Sequence, residues 1–541
     1  MSATKNFFDR EDSPHGLSKR VVLYRYLQQK FAIALNTGEP STGYDFTYFD
    51  AFCGTGKYRT PQQPEKTVKD PLKAIISKQI NFEVEPEPCF FDPKNASGKR
   101  KSTTKLKAGG KKKKVEQEEE TKQPPFPLEY GSPLVSLEAL IKTFKERYNK
   151  SWQFKRFLYV FEDKQEDYIE KLKRNVRQYL LSADLETKWL EEKQDFWQIN
   201  IEHSHRKSKN DETIVTVKAQ INILFIVGQF QEFEPDQELF EGSKVRLTTC
   251  KPMVTFLDPF GYSDTQMDKV IEYLGKRRDV LLFFGVENIN RFYREPKFEQ
   301  RFAELMGDKN WKSYLPEEYK SLQPADKMKA LVDVYGKCLR LKHPEDPLLR
   351  TCHISMRRGS SQGVDRGCIY DLIGFCFGLK SLSQMKYAMG VGSQNSPKEF
   401  GNELYFSDYH YDVNGKWSPL NSRVAEADII HQYWAGKTCT FGELKQWILT
   451  DTSLQIHSRP LQDLEIAGKL EVLDTTYDYK DGGFYGFVEK REDKRGSERT
   501  KKGTMRRRKF PPDVGQLSTD IDGKWNTFRN AWQLRFIQLE I

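Results

Sequence analysis

Apolar positions along this chain fall into two rhythms, short continuous runs and helical repeats. The most informative run is F-T-Y-F-D-A-F-C-G-T-G-K-Y at 46–58. It opens with aromatic and β-branched residues and little charge, the pattern of a strand buried on both faces. It ends in Asp50 and then Gly54-Thr55-Gly56. Upstream, Val22, Tyr26 and Ile33 recur at helical spacing over 19–34, with Ser18 as the expected cap. Downstream, Ser132 and Pro133 predict a helix start running to 148. Residues 155–164 (K-R-F-L-Y-V-F-E-D-K) predict a second strand ending in Glu162-Asp163, followed by a helix over 165–181. Strand, helix, strand, helix implies a parallel sheet with crossovers.

The pattern continues with strand-like segments at 196–202 and 214–227, read as a third strand with an added hairpin. A further buried strand, V-T-F-L-D-P-F-G-Y at 254–262, again ends in an acid, Asp258. A helix over 264–276 and an apolar strand over 278–286 follow. Residues 297–343 read as helices with an exposed loop at Trp311. Strands near 351–356 and 368–377 and a helix over 381–390 close this region. Residues 391–422 read as loop.

From Arg423 the texture changes. A helix is expected at 424–435. Thr440 and Glu443 have capping-box spacing ahead of a helix to 449. A third helix carries Leu461, Leu464 and Ile466. The segments L-E-V-L-D and G-F-Y-G-F-V then predict a β-hairpin. Three helices and a hairpin are the winged helix–turn–helix pattern. The expected layout is an α/β domain over 1–410, a winged helix domain over 423–490 and a basic tail over 491–541.

Composition adjusts this picture. At 541 residues, with 37% hydrophobic and 13% aromatic residues, the chain can hold two or more cored domains. The formal net charge of +10 leans towards an anionic partner, nucleic acid of either kind. That charge is concentrated in the low-complexity stretch 94–123, in Lys111–114 above all, and around 506–509. These read as solvated linker and tail, as nucleic-acid contacts or as a nuclear address. The residues 59–92 between the glycine turn and this stretch predict a short helix at 71–78 and a strand at 89–91. No apolar run approaches the roughly 18 residues of a membrane span, so no membrane partner is expected. The eight cysteines include no Cys-x-x-Cys pair, which suggests an intracellular, reducing compartment, cytoplasm or nucleus, and no metal site. His353, His410, His431 and His457 stand alone and read as structural.

The chemistry lies in the three acid-tipped strands. A strand that runs into an acid and a Gly-x-Gly turn is how open α/β sheets hold nucleotide-type cofactors, although Gly-x-Gly also serves plain tight turns. The triple of Asp50 with its glycines, Glu162-Asp163 and Asp258 has the layout of a class I methyltransferase using S-adenosylmethionine, a Rossmann-like doubly wound fold. In that layout Asp50, Phe52, Gly54 and Gly56 surround the amino-acid end of the cofactor, and Glu162 and Asp163 take its ribose. Asp258, Pro259 and Phe260 stand where methyl donor and acceptor meet. Tyr262, Asn290 and Arg291 are the candidate substrate contacts, with Phe260 or Tyr262 stacking on a flipped base.

The chain also resembles one family, the three-Cys-motif partner proteins (TcmP). The resemblance rests on S-P-H-G-L-S-K-R-V-V-L-Y-R-Y-L, Y-F-D-A-F-C-G-T-G-K-Y, G-S-P-L, F-E-D, F-L-D-P-F-G-Y-S, I-N-R-F, Y-D-L-I-G-F-C-F-G-L-K-S-L-S-Q-M-K-Y-A-M and T-F-G-E-L-K. It implies a methyltransferase-like Rossmann domain, a C-terminal winged helix and, in bacteria, a neighbouring radical-type protein with a three-cysteine motif. The expected activity is methylation of a base amino group, RNA before DNA. The alternatives are a non-catalytic cofactor-binding partner of another enzyme and a winged-helix nucleic-acid-binding protein. Two departures stand out. The interval from glycine turn to ribose acid far exceeds the usual ~20 residues, because of the insertion. The motif Asp258-Pro259-Phe260-Gly261 also lacks the second proline of the adenine-methylating pattern.

Overall fold

The structure is a computed structural model. It describes residues 14–36, 43–58, 126–127, 129–147, 154–208, 211–240, 244–259, 264–343, 349–358, 368–394, 404–406, 410–411, 417–418, 423–452, 458–473, 485–487, 505–507 and 533–538. The helix expected at 71–78, the strand at 89–91, the stretch 94–123 and the basic run 491–504 lie outside the described residues. The described residues form two compact units, 14–406 and 410–538.

The first unit begins with α1 (Pro14–Asn36), β1 (Phe46–Asp50), α2 (Ser132–Arg147), β2 (Lys155–Asp163) and α3 (Glu166–Ser182). It continues with β3 (Glu186–Glu192), β4 (Phe196–Ser208), β5 (Asp211–Val227), β6 (Met253–Leu257), α4 (Met267–Tyr273), β7 (Arg278–Phe284) and α5 (Val286–Phe292). It ends with α6 (Glu299–Met306), α7 (Pro324–Lys342), β8 (Leu349–Arg358), β9 (Cys368–Phe377), α8 (Leu379–Gln394) and β10 (Leu404–Phe406).

All ten strands share one sheet, in the order β10-β8-β9-β7-β6-β1-β2-β5-β4-β3. The central five, β5-β2-β1-β6-β7, are parallel. The strands outside them pair antiparallel. This is a mixed α/β sheet compatible with a Rossmann-like fold. The chain runs outwards from β1 through β2 to β5, then returns to the other side of β1 as β6. That reversal puts a topological switch point at the carboxyl ends of β1 and β6, the place where open α/β sheets bind ligands.

Alternation on β1 explains why helices cover both faces. Phe46 and Tyr48 face α1, where Phe31 packs edge-on to Phe46 with centroids 4.9 Å apart. Phe49 faces the other side and meets Phe233 and Tyr273 at 5.7 and 5.3 Å. Both faces are dry: Phe46, Tyr48 and Phe49 are all buried. This is why β1 reads as a continuous apolar run and not as an alternating one.

Several expectations change. The first helix starts at Pro14, so Ser18 lies inside it and does not cap it; proline is preorganised for a first helical turn. The helix expected over 264–276 is only α4, and Val286 opens α5 instead of closing β7. Trp311 is buried, not exposed, and packs edge-on to Phe302 at 6.4 Å. The extra strand β3 lies at the sheet edge, where its charged alternation (E-T-K-W-L-E-E) leaves half its residues exposed.

In the second unit, β11 (His410–Tyr411) and β12 (Trp417–Ser418) pair with each other. They are followed by α9 (Arg423–Trp434), β13 (Thr438–Thr440), α10 (Phe441–Asp451), α11 (Ser458–Ile466) and β14 (Leu470–Val472). β15 (Tyr485–Phe487), β16 (Met505–Arg507) and β17 (Gln533–Phe536) complete the unit. The capping box is present: Thr440 Oγ1 accepts from the Glu443 amide at 3.1 Å, and Glu443 Oε2 accepts from the Thr440 amide at 2.7 Å.

Among the described residues the expected hairpin is not formed. β14 pairs instead with β17, in a three-stranded antiparallel sheet of order β13-β17-β14, and β15 pairs with β16. The strand that completes this sheet comes from the stretch read as basic tail. Leu534 and Phe536 enter the core with Ile430, Phe441, Leu444 and Leu464, while Arg535 faces out. An alternation only four residues long is easily hidden in a Lys- and Arg-rich context.

Candidate functional site

The carboxyl ends of β1, β2 and β6 lie side by side. The register puts Asp50 level with Phe161 on β2 and Phe256 on β6. The chain leaving β1 is stitched to both neighbours: the Ala51 amide donates to Phe256 O at 3.3 Å and the Cys53 amide to Glu162 O at 3.1 Å. Asp50 is fully buried. It accepts from Tyr48 Oη at 3.1 Å, from the Phe52 amide at 3.4 Å and from Ser132. Burial pushes its carboxyl up to about 7; the Ser132 and Tyr48 hydrogen bonds oppose this, and the charge of Asp258 adds to it. Ser132 is the first residue of α2, so Asp50 occupies the end of a helix where an anion is favoured.

Gly54 and Gly56 both adopt positive φ, 57° and 73°, which is glycine's own region. At Gly56 space is also the constraint, because a Cβ there would lie 2.5 Å from Leu172 Cδ1 on α3. Gly56 O accepts from the Gly131 amide at 2.8 Å, and the Tyr58 amide donates to Glu129 O at 2.7 Å. These two bonds close a backbone neck between the glycine turn and the start of α2. Gly56→Ala is expected to lower the stability of the first unit by about 1–3 kcal/mol, from overpacking and strain together. Urea unfolding followed by far-UV circular dichroism measures this.

The two acids at the tip of β2 divide their tasks, because neighbouring residues of a strand face opposite sides of the sheet. Asp163 lies on the Asp50 side. Its Oδ2 accepts from the Gly54 amide at 3.1 Å and its Oδ1 from the Gln165 amide at 2.9 Å. It therefore braces the glycine turn. Glu162 lies on the other side and is fully buried, and among the described residues neither carboxylate oxygen has a hydrogen-bond partner. Burial pushes it up to about 8; the Lys269 ammonium opposes this and Asp163 adds to it. Gly228 leaves room beside it, since a Cβ there would lie 3.4 Å from Glu162 Oε1. Phe52 is half-buried, with its ring 5.7 Å from Phe230, and Phe230 stacks on Tyr273 at 5.1 Å.

Asp258 follows β6 directly, and it and Pro259 are half-buried. Its Oδ2 is held by the Lys19 ammonium of α1 in an ion pair. Phe260 and Tyr262 lie outside the described residues. Asn290 and Arg291 sit within α5. Asn290 Oδ1 accepts from Tyr319 Oη at 3.1 Å, and the exposed Arg291 lies over its neighbour Phe292 at 5.1 Å. Among the described residues their contacts are thus with α5 itself and with Tyr319, and none links them to the acids at the strand tips.

Lys19, Ser132 and Gly131 join the constellation although the sequence singled them out only for helix formation or in quoted motifs. Lys19 lies in the run S-P-H-G-L-S-K-R, where a Lys-Arg pair on an otherwise apolar helix face is the available signal. Arg20 is buried too, donating through Nε to Gly16 O at 3.1 Å and lying 4.8 Å over the Tyr58 ring. Among the described residues no cluster of three or more His, Cys, Asp or Glu could hold a metal ion. No helix among them is long and apolar enough to cross a membrane. No protein-family model and no curated protein matches the chain.

Proposed function

We propose that the first unit binds S-adenosylmethionine at the carboxyl edge of β1 and β2 and directs methyl transfer to an amino group of a nucleic-acid base, RNA before DNA. The observation that carries this reading is Glu162: a buried carboxylate with both oxygens unsatisfied, at the tip of β2 beside a glycine turn. Buried polar groups are almost always satisfied, and exceptions call for an explanation. A ribose diol supplies the two donors that Glu162 lacks.

The donor set suits a cationic ligand. Asp50 is pushed up chiefly by burial, and a ligand ammonium beside it would favour its charged form. An anionic pyrophosphate would instead meet Asp50 already seated at the start of α2. This weighs against a nicotinamide cofactor. The cofactor, when bound, supplies an activated methyl group. Gly54 and Gly56 would let the backbone approach its amino-acid end, Asp50 would hold that end's ammonium and Glu162 the ribose hydroxyls. Asp258 would accept a hydrogen bond from the acceptor amine and align its nitrogen, alignment being the main source of rate.

Apart from the two-stranded pairs β11–β12 and β15–β16, the second unit has the order helix, strand, helix, helix, strand, strand, with β17 taking the place expected for the second strand of a hairpin. We read it as a winged helix and as the docking module for the nucleic acid. A second reading, a cofactor-binding partner without turnover, is favoured by one observation: Asp258 is already engaged by Lys19.

Calorimetric titration with S-adenosylmethionine tests the cofactor. Micromolar binding is expected, weakened by at least about 30-fold in Asp50→Ala, a loss of about 2 kcal/mol. No heat from the wild-type chain would sink the cofactor reading. Transfer of a labelled methyl group to RNA oligonucleotides, lost in Asp258→Ala, separates enzyme from silent partner.

A further inference from the structure

Lys19 and Asp258 are 239 positions apart in the chain, yet their side chains are only 10% and 19% exposed and form an ion pair. Lys19 is not a wandering surface lysine. Its helix is anchored by Arg20, whose Nη1 donates to Tyr130 O, and by the buried Val21, Val22, Leu23 and Tyr24. Its ammonium also lies 4.7 Å over the Phe283 ring on β7, and Phe283 stacks on Tyr370 of β9 at 4.6 Å. The pair is therefore held by β6, β7 and α1 together. Among the described residues Lys19 alone donates to Asp258, and only to Oδ2, so Oδ1 is left as an acceptor.

From this geometry we infer that Lys19 is a positioning residue that makes the Asp258 site select an uncharged N–H donor over an ammonium. The inference rests on the proposed role of Asp258 as the acceptor-side carboxylate. A lone carboxylate beside a second acid, Asp50, would draw in cations: a lysine side chain or a polyamine would bind there first. Lys19 cancels that charge from inside the protein. What remains at Oδ1 is a directed hydrogen-bond acceptor with little net field. That suits an aromatic amine or amide, which brings a donor without a charge. An incoming ammonium would instead meet the Lys19 ammonium across the same carboxylate. The substrate class is thus a neutral amino group such as that of a nucleobase, and protein lysines and polyamines are excluded.

The test uses the full chain and two probes that lack the ribose and sulfonium of the cofactor: 9-methyladenine, an uncharged aromatic amine, and cadaverine, a diammonium. Both are titrated by ligand-observed NMR into wild type, Lys19→Met, Lys19→Gln and Lys19→Arg. Lys19→Gln keeps a donor on Asp258 without the charge, so that an uncharged variant is at hand if Lys19→Met does not fold. Wild type is expected to bind 9-methyladenine and reject cadaverine. The uncharged variants are expected to keep 9-methyladenine and to gain cadaverine binding by about tenfold or more, the scale of one hydrogen bond to a charged group. Lys19→Arg is expected to restore the wild-type preference, which a merely structural role would not predict. Folded uncharged variants with unchanged preference would overturn the inference, as would a wild type that takes cadaverine as tightly as 9-methyladenine or binds neither. Titration with S-adenosylmethionine reads the cofactor separately. A chain that binds the cofactor but fails here keeps its cofactor site and loses this selectivity. One that passes here without binding the cofactor does the reverse.

Discussion

Glu162→Gln is expected to stabilise the first unit at pH 8 while abolishing cofactor binding. Few substitutions move stability and function in opposite directions, and a buried carboxylate without partners is where this happens. The sign follows from linkage. The folded pKa of Glu162 is about 8, above its ordinary 4.5. The folded state therefore holds a proton that the unfolded state has already released. Its contribution is fully present below pH 4.5 and is lost as pH rises towards 8. Asp50, pushed up to about 7 from 3.8, acts in the same sense over a slightly lower window.

The groups that reach Glu162 electrostatically include Lys269, Asp163, Tyr273 and Cys53. Lys269 is already engaged, 2.7 Å from Glu272 and 3.5 Å from Glu234. Glutamine mimics the protonated acid at every pH. The gain at pH 8 is expected to be a few kcal/mol, since each tenfold change in proton affinity between the folded and unfolded states is worth about 1.4 kcal/mol. Urea unfolding at pH 5 and pH 8 measures it. Wild type should lose stability between the two, and Glu162→Gln should lose much less. A wild-type curve that is flat from pH 5 to 8 would mean that Glu162 and Asp50 are hydrated in solution. Glu162 would then have no need of a diol.

Phe536→Ala is expected to cost the second unit about 3–5 kcal/mol, the range for truncating a buried aromatic. Phe536 is 1% exposed and stacks on Trp434 at 6.1 Å. It belongs to β17, whose backbone bonds both β13 and β14. The cavity would thus open in the middle of the small sheet and its core. Tryptophan emission reports the loss, because Trp434 and Trp447 both pack against this core. Were this stretch only a solvated tail, the same substitution would change nothing measurable.

How much of this was legible in the sequence depended on where each element's neighbours lie. The strands β1, β2, β6 and β7 are buried on both faces, so their continuous apolar runs identified them without tertiary knowledge. Their acidic tips Asp50, Glu162, Asp163 and Asp258 were legible for the same reason: a charge that ends such a run must sit at the sheet's edge. β3 alternates charged and half-buried residues at an edge, and β17 is four residues long, so neither stood out. Glu162 and Asp163 looked equivalent in sequence. The pleat separates them, giving Asp163 to the glycine turn and leaving Glu162 unsatisfied. For Lys19 the Lys-Arg pair on an apolar helix face was a signal, but its partner is supplied by the fold, 239 positions away.

The neck closed by Gly56, Tyr58, Glu129 and Gly131 has a consequence for the covalent chain. β1 lies in the middle of the sheet, bonded to β2 and to β6, and α1 packs across it with Lys19 reaching Asp258. The 14–58 segment is thus held by more than its peptide link to the rest. Were the chain interrupted after Tyr58, these strand pairings and the ion pair would still tie the 14–58 piece to the rest, with Asp50, Glu162 and Asp258 together. The first unit is in this sense a natural split protein, whose two pieces are joined by the sheet as well as by the backbone.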